Sequence, residues 1–234
     1  MKETFVRFSR RQRVEHALVM SLFIVLATTG FPQKFSDAAW ARRALALMGG
    51  VEIARALHRF AGCAFALLAA VHIGTAIVLV TTGRVRPSMI PGRKDFVDAI
   101  KTLRYYLGAT EEQARFDRFD YRQKFEYWGL LMGGLLMVAT GLVLYFPLVV
   151  TRFLPGVLIP IAKVAHSNEG LMAFLVVITW HIYNAHFNPD VFPFDPAIFT
   201  GKISRHRMER EHPLELARRT GGEAPGPRGH GTAD

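Results

Sequence analysis

Cysteine is nearly absent: Cys63 is the only one in 234 residues. This excludes a disulfide, an iron–sulfur cluster or a CxxCH attachment site within the chain. Acidic residues are also scarce, 19 against 29 Lys and Arg, leaving a formal net charge of +10. Charge of either sign is missing from four stretches, Ala17–Gln33, Phe60–Gly83, Tyr127–Thr151 and Gly170–Asn188. Each reaches about the 17–25 residues needed to cross a bilayer. With half its residues hydrophobic, the chain reads as an all-α integral membrane bundle of four helices. No flavin, molybdenum, nickel or iron–sulfur motif is present, so any substrate chemistry belongs to another chain.

The distribution of positive charge decides what it is for. Lys2, Arg7, Arg10, Arg11 and Arg13 precede the first span, and a basic series from Arg84 to Lys124 separates the second from the third. Another runs from Lys202 to Arg219, whereas the third connection holds only Arg152 and Lys163. The positive-inside rule then places both termini and the long middle loop in the cytoplasm of a bacterial inner-membrane protein. The charge serves topology, not nucleic-acid binding. The Arg-rich start, apolar run and Ala39-Trp40-Ala41 also resemble a cleaved signal peptide. Four spans fit the charge pattern better than three, and cleavage would discard His16.

Along the chain, the first helix is expected to stop near Gly30-Phe31-Pro32, with a short outer helix around Ala38–Met48. An amphipathic helix is expected at Asp95–Leu107 in the middle loop. Gly129, Gly133 and Gly141 form one ridge for close packing of the third span. Residues 1–200 make the four-span domain. Residues 201–234 make a charged cytoplasmic tail, with one helix to about Arg219 and a disordered end from Gly221.

Histidine is the chemistry-bearing residue inside the spans, where ionisable groups are rare and usually functional. His58 and His72 lie 14 residues apart, roughly 21 Å along one helix and within about 40° of one face. His166 and His181 lie 15 apart, roughly 22 Å and about 60°. Both helices run inward, so His58 shares the outer depth with His166 and His72 the inner depth with His181. Two stacked bis-histidine haem b sites fit this spacing. Gly62 and Gly170, one turn after His58 and His166, leave room for a flat macrocycle. His16, at the inner end of the first span, competes with His72 as partner of His181; if both bind, a third haem follows. His186 is roughly 200° around from His166 and faces away. His206, His212 and His230 read as solvated. Arg55, Arg59 and Lys163 are placed to meet outer haem propionates and Arg11 and Arg13 inner ones, or to anchor the helices at the interface.

RFSRRQRVEHALVMSLFIVLATTG, DYRQKFEYWG and HSNEGLMAFLVVITWHIYNAHF resemble the membrane cytochrome b subunits of quinone-linked respiratory complexes. Formate dehydrogenase gamma subunits and nickel–iron hydrogenase cytochromes b are their best-known kinds. The resemblance covers about residues 8–200. It implies that His16 with His181 holds an inner haem and His58 with His166 an outer one. It also implies a quinone or menaquinone site at Asp120, Gln123 and Lys124, above Tyr127 and Trp128; a plain interfacial loop is the alternative reading. A spacing of 15 in the fourth helix departs from the 14 of the formate dehydrogenase type, His72 is additional, and Arg122 stands where relatives have a small residue. The function implied is electron transfer between the quinone pool and a periplasmic or membrane-associated redox subunit, an iron–sulfur or multihaem cytochrome c protein. A stand-alone quinol oxidoreductase and a haem-free histidine-relay transporter are the alternatives.

Overall fold

The computed structural model describes residues 3–189 and 191–222. In chain order the elements are β1 (Thr4–Val6), α1 (Arg10–Lys34), α2 (Ala39–Leu47), α3 (Val51–Thr81), α4 (Arg93–Tyr106), α5 (Tyr121–Tyr145), α6 (Pro147–Phe153) and α7 (Leu158–Val176). Two π-helical segments, Val177–His181 and Tyr183–Phe187, extend α7. After them come α8 (Ala197–Thr200), β2 (Lys202–Ser204), α9 (Arg205–Glu211) and α10 (Pro213–Thr220). Among the described residues four helical segments are long and apolar enough to cross a membrane: Arg10–Lys34, Val51–Thr81, Tyr121–Tyr145 and Leu158–Phe187. The first runs past Pro32, which sits within its last turn. Proline there removes the N–H that would donate to Thr28 O, and the helix ends two residues later, with Phe35 N–H donating to Phe31 O at 2.9 Å.

The chain forms two units. One comprises residues 10–82 and 130–195 and holds the bulk of the four spans. α1 packs along α3 and also touches α2 and α7. Its buried positions are small residues, among them Ala41, Ala54, Ala61, Ala162, Thr29 and Thr140. Phe60, Leu67, Met132 and Leu175 point outward. This is the inverse of a water-soluble core. In lipid the large apolar side chains gain nothing by leaving the surface, and helices meet where backbones can approach. The glycine ridge of α5 partly meets that purpose. Gly133 faces the carboxylate of Glu169 and Gly141 the ring of His166, while Gly129 faces open space.

The other unit comprises residues 1–9, 83–129 and 196–234. β1 pairs antiparallel with β2, Phe5 opposite Ile203. Ile203, Met208 and Leu216 form a small core with Phe5 against it. Glu215, 1% exposed, receives Arg7 at 3.1 Å, Arg118 at 2.9 Å and Arg219 at 2.6 Å. Residues 202–204 pair with the N-terminal strand, and Glu215 and Arg218 share ion pairs with the middle loop, so this segment belongs with both instead of standing apart from residue 201 as a separate tail. Instead of one terminal helix there are two, broken at His212-Pro213 where proline cannot continue the preceding helix. His212 is buried, not solvated: its Nδ1 donates to Asp117 O at 2.8 Å. The disordered end expected from Gly221 lies, apart from its first two residues, outside the described residues, as does His230.

Candidate haem sites in the bundle

Four of the span histidines meet in two pairs. His58 from α3 faces His166 from α7, ring centres 6.2 Å apart and planes at 76°. His16 from α1 faces His181 from the first π segment, centres 6.1 Å apart at 37°. Two imidazoles bound axially to one metal, each nitrogen about 2 Å from it and about 1 Å from its own ring centre, place the ring centres about 6 Å apart. Both pairs have that separation. Among the described residues no three His, Cys, Asp or Glu side chains converge as a metal site. The donor sets are thus pairs, which suits a metal whose remaining positions a macrocycle fills.

The His58–His166 pair is held from behind. His58 Nδ1 lies 2.9 Å from Thr29 Oγ1, and His166 Nδ1 lies 3.0 Å from Thr140 Oγ1. Each threonine hydroxyl has one proton, and each is directed to its own helix: Thr29 donates to Val25 O at 2.6 Å, Thr140 to Leu136 O at 2.7 Å. The threonine oxygens must then accept from Nδ1–H, which leaves Nε2 of both imidazoles with its lone pair free for a metal. The next residue along completes each seat. A Cβ at Gly30 would stand 3.1 Å from the His58 ring, and one at Gly141 3.3 Å from the His166 ring. Thr29-Gly30 and Thr140-Gly141 are thus equivalent seats on α1 and α5. The sequence carried the signal, since Ala-Thr-Gly occurs at 139–141 and Ala-Thr-Thr-Gly at 27–30, but periodicity on the histidine helices alone does not reveal it. Gly62 faces open space, as a macrocycle beside His58 would require.

His72 Nδ1 meets Glu15 Oε2 at 3.0 Å, and Glu15 Oε1 accepts from Arg11 Nε at 3.0 Å. The ring facing His181 is that of His16. The π segments explain the spacing of 15. Ile182 N–H reaches Val177 O and Asn188 N–H reaches Tyr183 O at 2.8 Å, both five residues back. Such turns rotate less per residue than α-helix, so His181 swings back toward the face of His166. His186 stacks on Phe194, centres 4.6 Å apart. Arg59 lies over the Tyr145 ring at 5.0 Å, and Lys163 is exposed one turn before His166.

Asp120, Gln123 and Lys124 are all engaged in starting helices. Asp120 Oδ1 accepts from Gln123 N at 2.8 Å and Gln123 Oε1 from Asp120 N at 3.2 Å, a reciprocal capping of α5. Arg122 also binds Asp120, at 2.8 Å. Lys124 meets Asp95 at 2.8 Å, and Asp95 Oδ2 accepts from Gly92 N at 2.7 Å. Burial alone would raise the Asp95 carboxyl, but the Lys124 and Gly92 donors outweigh it and hold it below the usual range.

A family model described as prokaryotic cytochrome b561 matches residues 7–192. The chain belongs to that family. It is a membrane cytochrome b: a multi-pass electron-transfer protein of the bacterial inner membrane, of a family whose cofactor is haem b. Among its relatives is the formate dehydrogenase cytochrome b556(fdo) subunit of Escherichia coli K12, 27% identical over 187 residues, 79% of this chain and 80% of that one. The nitrate-inducible cytochrome b556(Fdn) subunit of the same strain is 22% identical over 208 residues, 89% and 88% of the two chains. The formate dehydrogenase cytochrome b556 subunit of Haemophilus influenzae is 25% identical over 191 residues, 77% and 70% of the two.

Proposed function

We propose that this cytochrome holds two haem b groups, one between His58 and His166 and one between His16 and His181. On this reading it conducts electrons between a redox subunit on the outer side and the quinone pool on the inner side. The observation that carries the reading is the pair of facing imidazoles at 6.1 and 6.2 Å, about 20 Å apart along one helix. Each bound haem supplies a one-electron couple. The protein's share is to present Nε2 of each ligand, fixed for the outer pair by Thr29 and Thr140, and to surround both pairs with apolar helix that excludes water. Arg59 and Lys163 are the cations next to the outer pair in sequence and are the propionate partners in this proposal. Membership of a cytochrome family favours this reading over a haem-free histidine relay.

The redox partner is proposed as a separate catalytic or iron–sulfur subunit, since the relatives are named as subunits of formate dehydrogenases and this chain has one cysteine. Quinone exchange is proposed at the inner-haem side. Asp120, Gln123 and Lys124 would serve it from the start of α5 only by giving up capping bonds.

The test is a dithionite-reduced minus oxidised spectrum of the purified protein, with haem extracted and counted per chain. Two haems are expected, falling to one in His181→Ala and in His166→Ala. A third haem, or a spectrum unchanged by His181→Ala, refutes the assignment. Co-purification of a second redox subunit supports the complex; a lone chain that oxidises quinol unaided points to the stand-alone alternative.

A further inference from the structure

α4 has the polarity of an ordinary surface helix turned inside out. Asp98 is 7% exposed, while Phe96 is 71%, Ile100 60%, Leu103 58% and Leu107 73% exposed. The inward side is held by polar bonds within its own unit. Lys94 binds Asp98 and donates to Arg115 O at 2.7 Å, Thr102 donates to Asp98 O at 2.7 Å, and Asp95 receives Lys124. Phe96, Ile100, Leu103 and Leu107 follow the i, i+4, i+7, i+11 pattern of a single stripe. A helix in water buries such a stripe; here Asp98 is buried instead.

Spanning does not explain the exposed stripe. At 14 residues α4 is shorter than the roughly 17–25 a span needs, and it carries six charged side chains over that length. Its surroundings say what does. Arg93 and Arg104 are exposed and lie about 60–80° around the helix from Phe96, where long cationic side chains reach from an apolar layer to phosphates. Only residues 82–92 separate α4 from the end of α3, itself a span.

We propose that α4 lies along the bilayer surface, its Phe96–Ile100–Leu103–Leu107 stripe in the acyl layer and Arg93 and Arg104 at the phospholipid phosphates. The middle loop is then an interfacial anchor that seats the start of α5, through Lys124 and Asp95, at a set depth.

The full-length protein carrying Cys63→Ser and one introduced cysteine, Ile100→Cys, Leu103→Cys or, as a loop control, Glu112→Cys, is labelled with an environment-sensitive fluorophore. It is then placed in phosphatidylethanolamine–phosphatidylglycerol vesicles with or without brominated acyl chains. Labels at 100 and 103 should lose most of their emission to bromine and resist aqueous iodide; the label at 112 should do the reverse. Iodide quenching at 100 and 103 equal to that at 112 would overturn the proposal and leave the stripe open for a protein partner. Quenching by neither agent would overturn it in favour of a second protein copy. The b-type band of each variant is recorded alongside, so failure of the spans or of the haem sites is read separately.

Discussion

At the residue scale the His58–His166 pair rests on two hydroxyls, each donating its proton to its own helix. Thr29→Val removes the acceptor for His58 Nδ1 while keeping the shape of the side chain. Loss of such a second partner typically weakens metal affinity by about 10–100-fold. The outer haem should therefore pass to a haem-scavenging apoprotein faster than in the parent, and Thr140→Val should behave alike. His72 provides the contrast. Because the ring facing His181 is that of His16, His72→Ala should leave the haem count unchanged, whereas His16→Ala should lower it by one. Loss of a haem in His72→Ala would restore it as a ligand. Glu215 answers to a different rule. Replacing it by Gln strands Arg7, which is 3% exposed, and breaking a buried ion pair costs roughly 3–5 kcal/mol. Hydrogen exchange at residues 202–220 should rise accordingly.

At the element scale the two π segments are the feature that spacing alone misreads. Fifteen residues of uniform α-helix leave His166 and His181 about 60° apart, on one side of the helix but not in line. The wide turns at 177–181 absorb one residue. Deleting Ile178 should therefore let that stretch close as α-helix with both haems retained. Deleting Ile178 and Thr179 together should rotate His181 away and lose one haem. Haem extraction on the two variants separates these outcomes. The short outer helix and α4 were readable within about two residues, since each is bounded by turn residues and carries one clear stripe. Pro32 marked the end of α1 to within two residues, since the helix stops at Lys34 once proline has removed one bond of its ladder.

At the scale of the whole molecule, two units answer to two solvents. The spans put alanine, threonine and glycine at their contacts and bulky side chains outside. The other unit folds around Met208 and Glu215 as water-soluble proteins do. Truncation after Gly201 removes β2, α9 and α10, so amides of residues 4–6 should lose protection while the b-type spectrum persists. pH acts on this unit through His212. Burial, then the Arg7 charge, pushes its imidazole down to about 4, against about 6.5 when unfolded. Between those values the unfolded state holds more protons. Stability is full above about 6.5 and falls by up to about 3 kcal/mol as pH drops toward 4. Exchange at 202–220 should accelerate over that window. His212→Asn, whose amide can donate to Asp117 O without titrating, should flatten the dependence. Glu215 adds to the loss at lower pH. Burial alone would raise its carboxyl, but Arg7, Arg118 and Arg219 outweigh this and hold it below the usual range.

The sequence by itself determined the four spans, the histidines at two depths and the family motifs. Hydropathy and spacing along one helix are local quantities, and lipid requires each span to satisfy its backbone hydrogen bonds within itself. The tertiary structure decided which histidine meets which, the Thr-Gly seats behind His58 and His166, and the joining of residues 4–6 with residues 202–220 in one unit. Each of these is a contact between segments far apart in the chain, and one-dimensional periodicity holds no information about the neighbour across the gap. The buried Glu215 shows the same limit. Its three arginines come from positions 7, 118 and 219, and only the fold brings the first two to it.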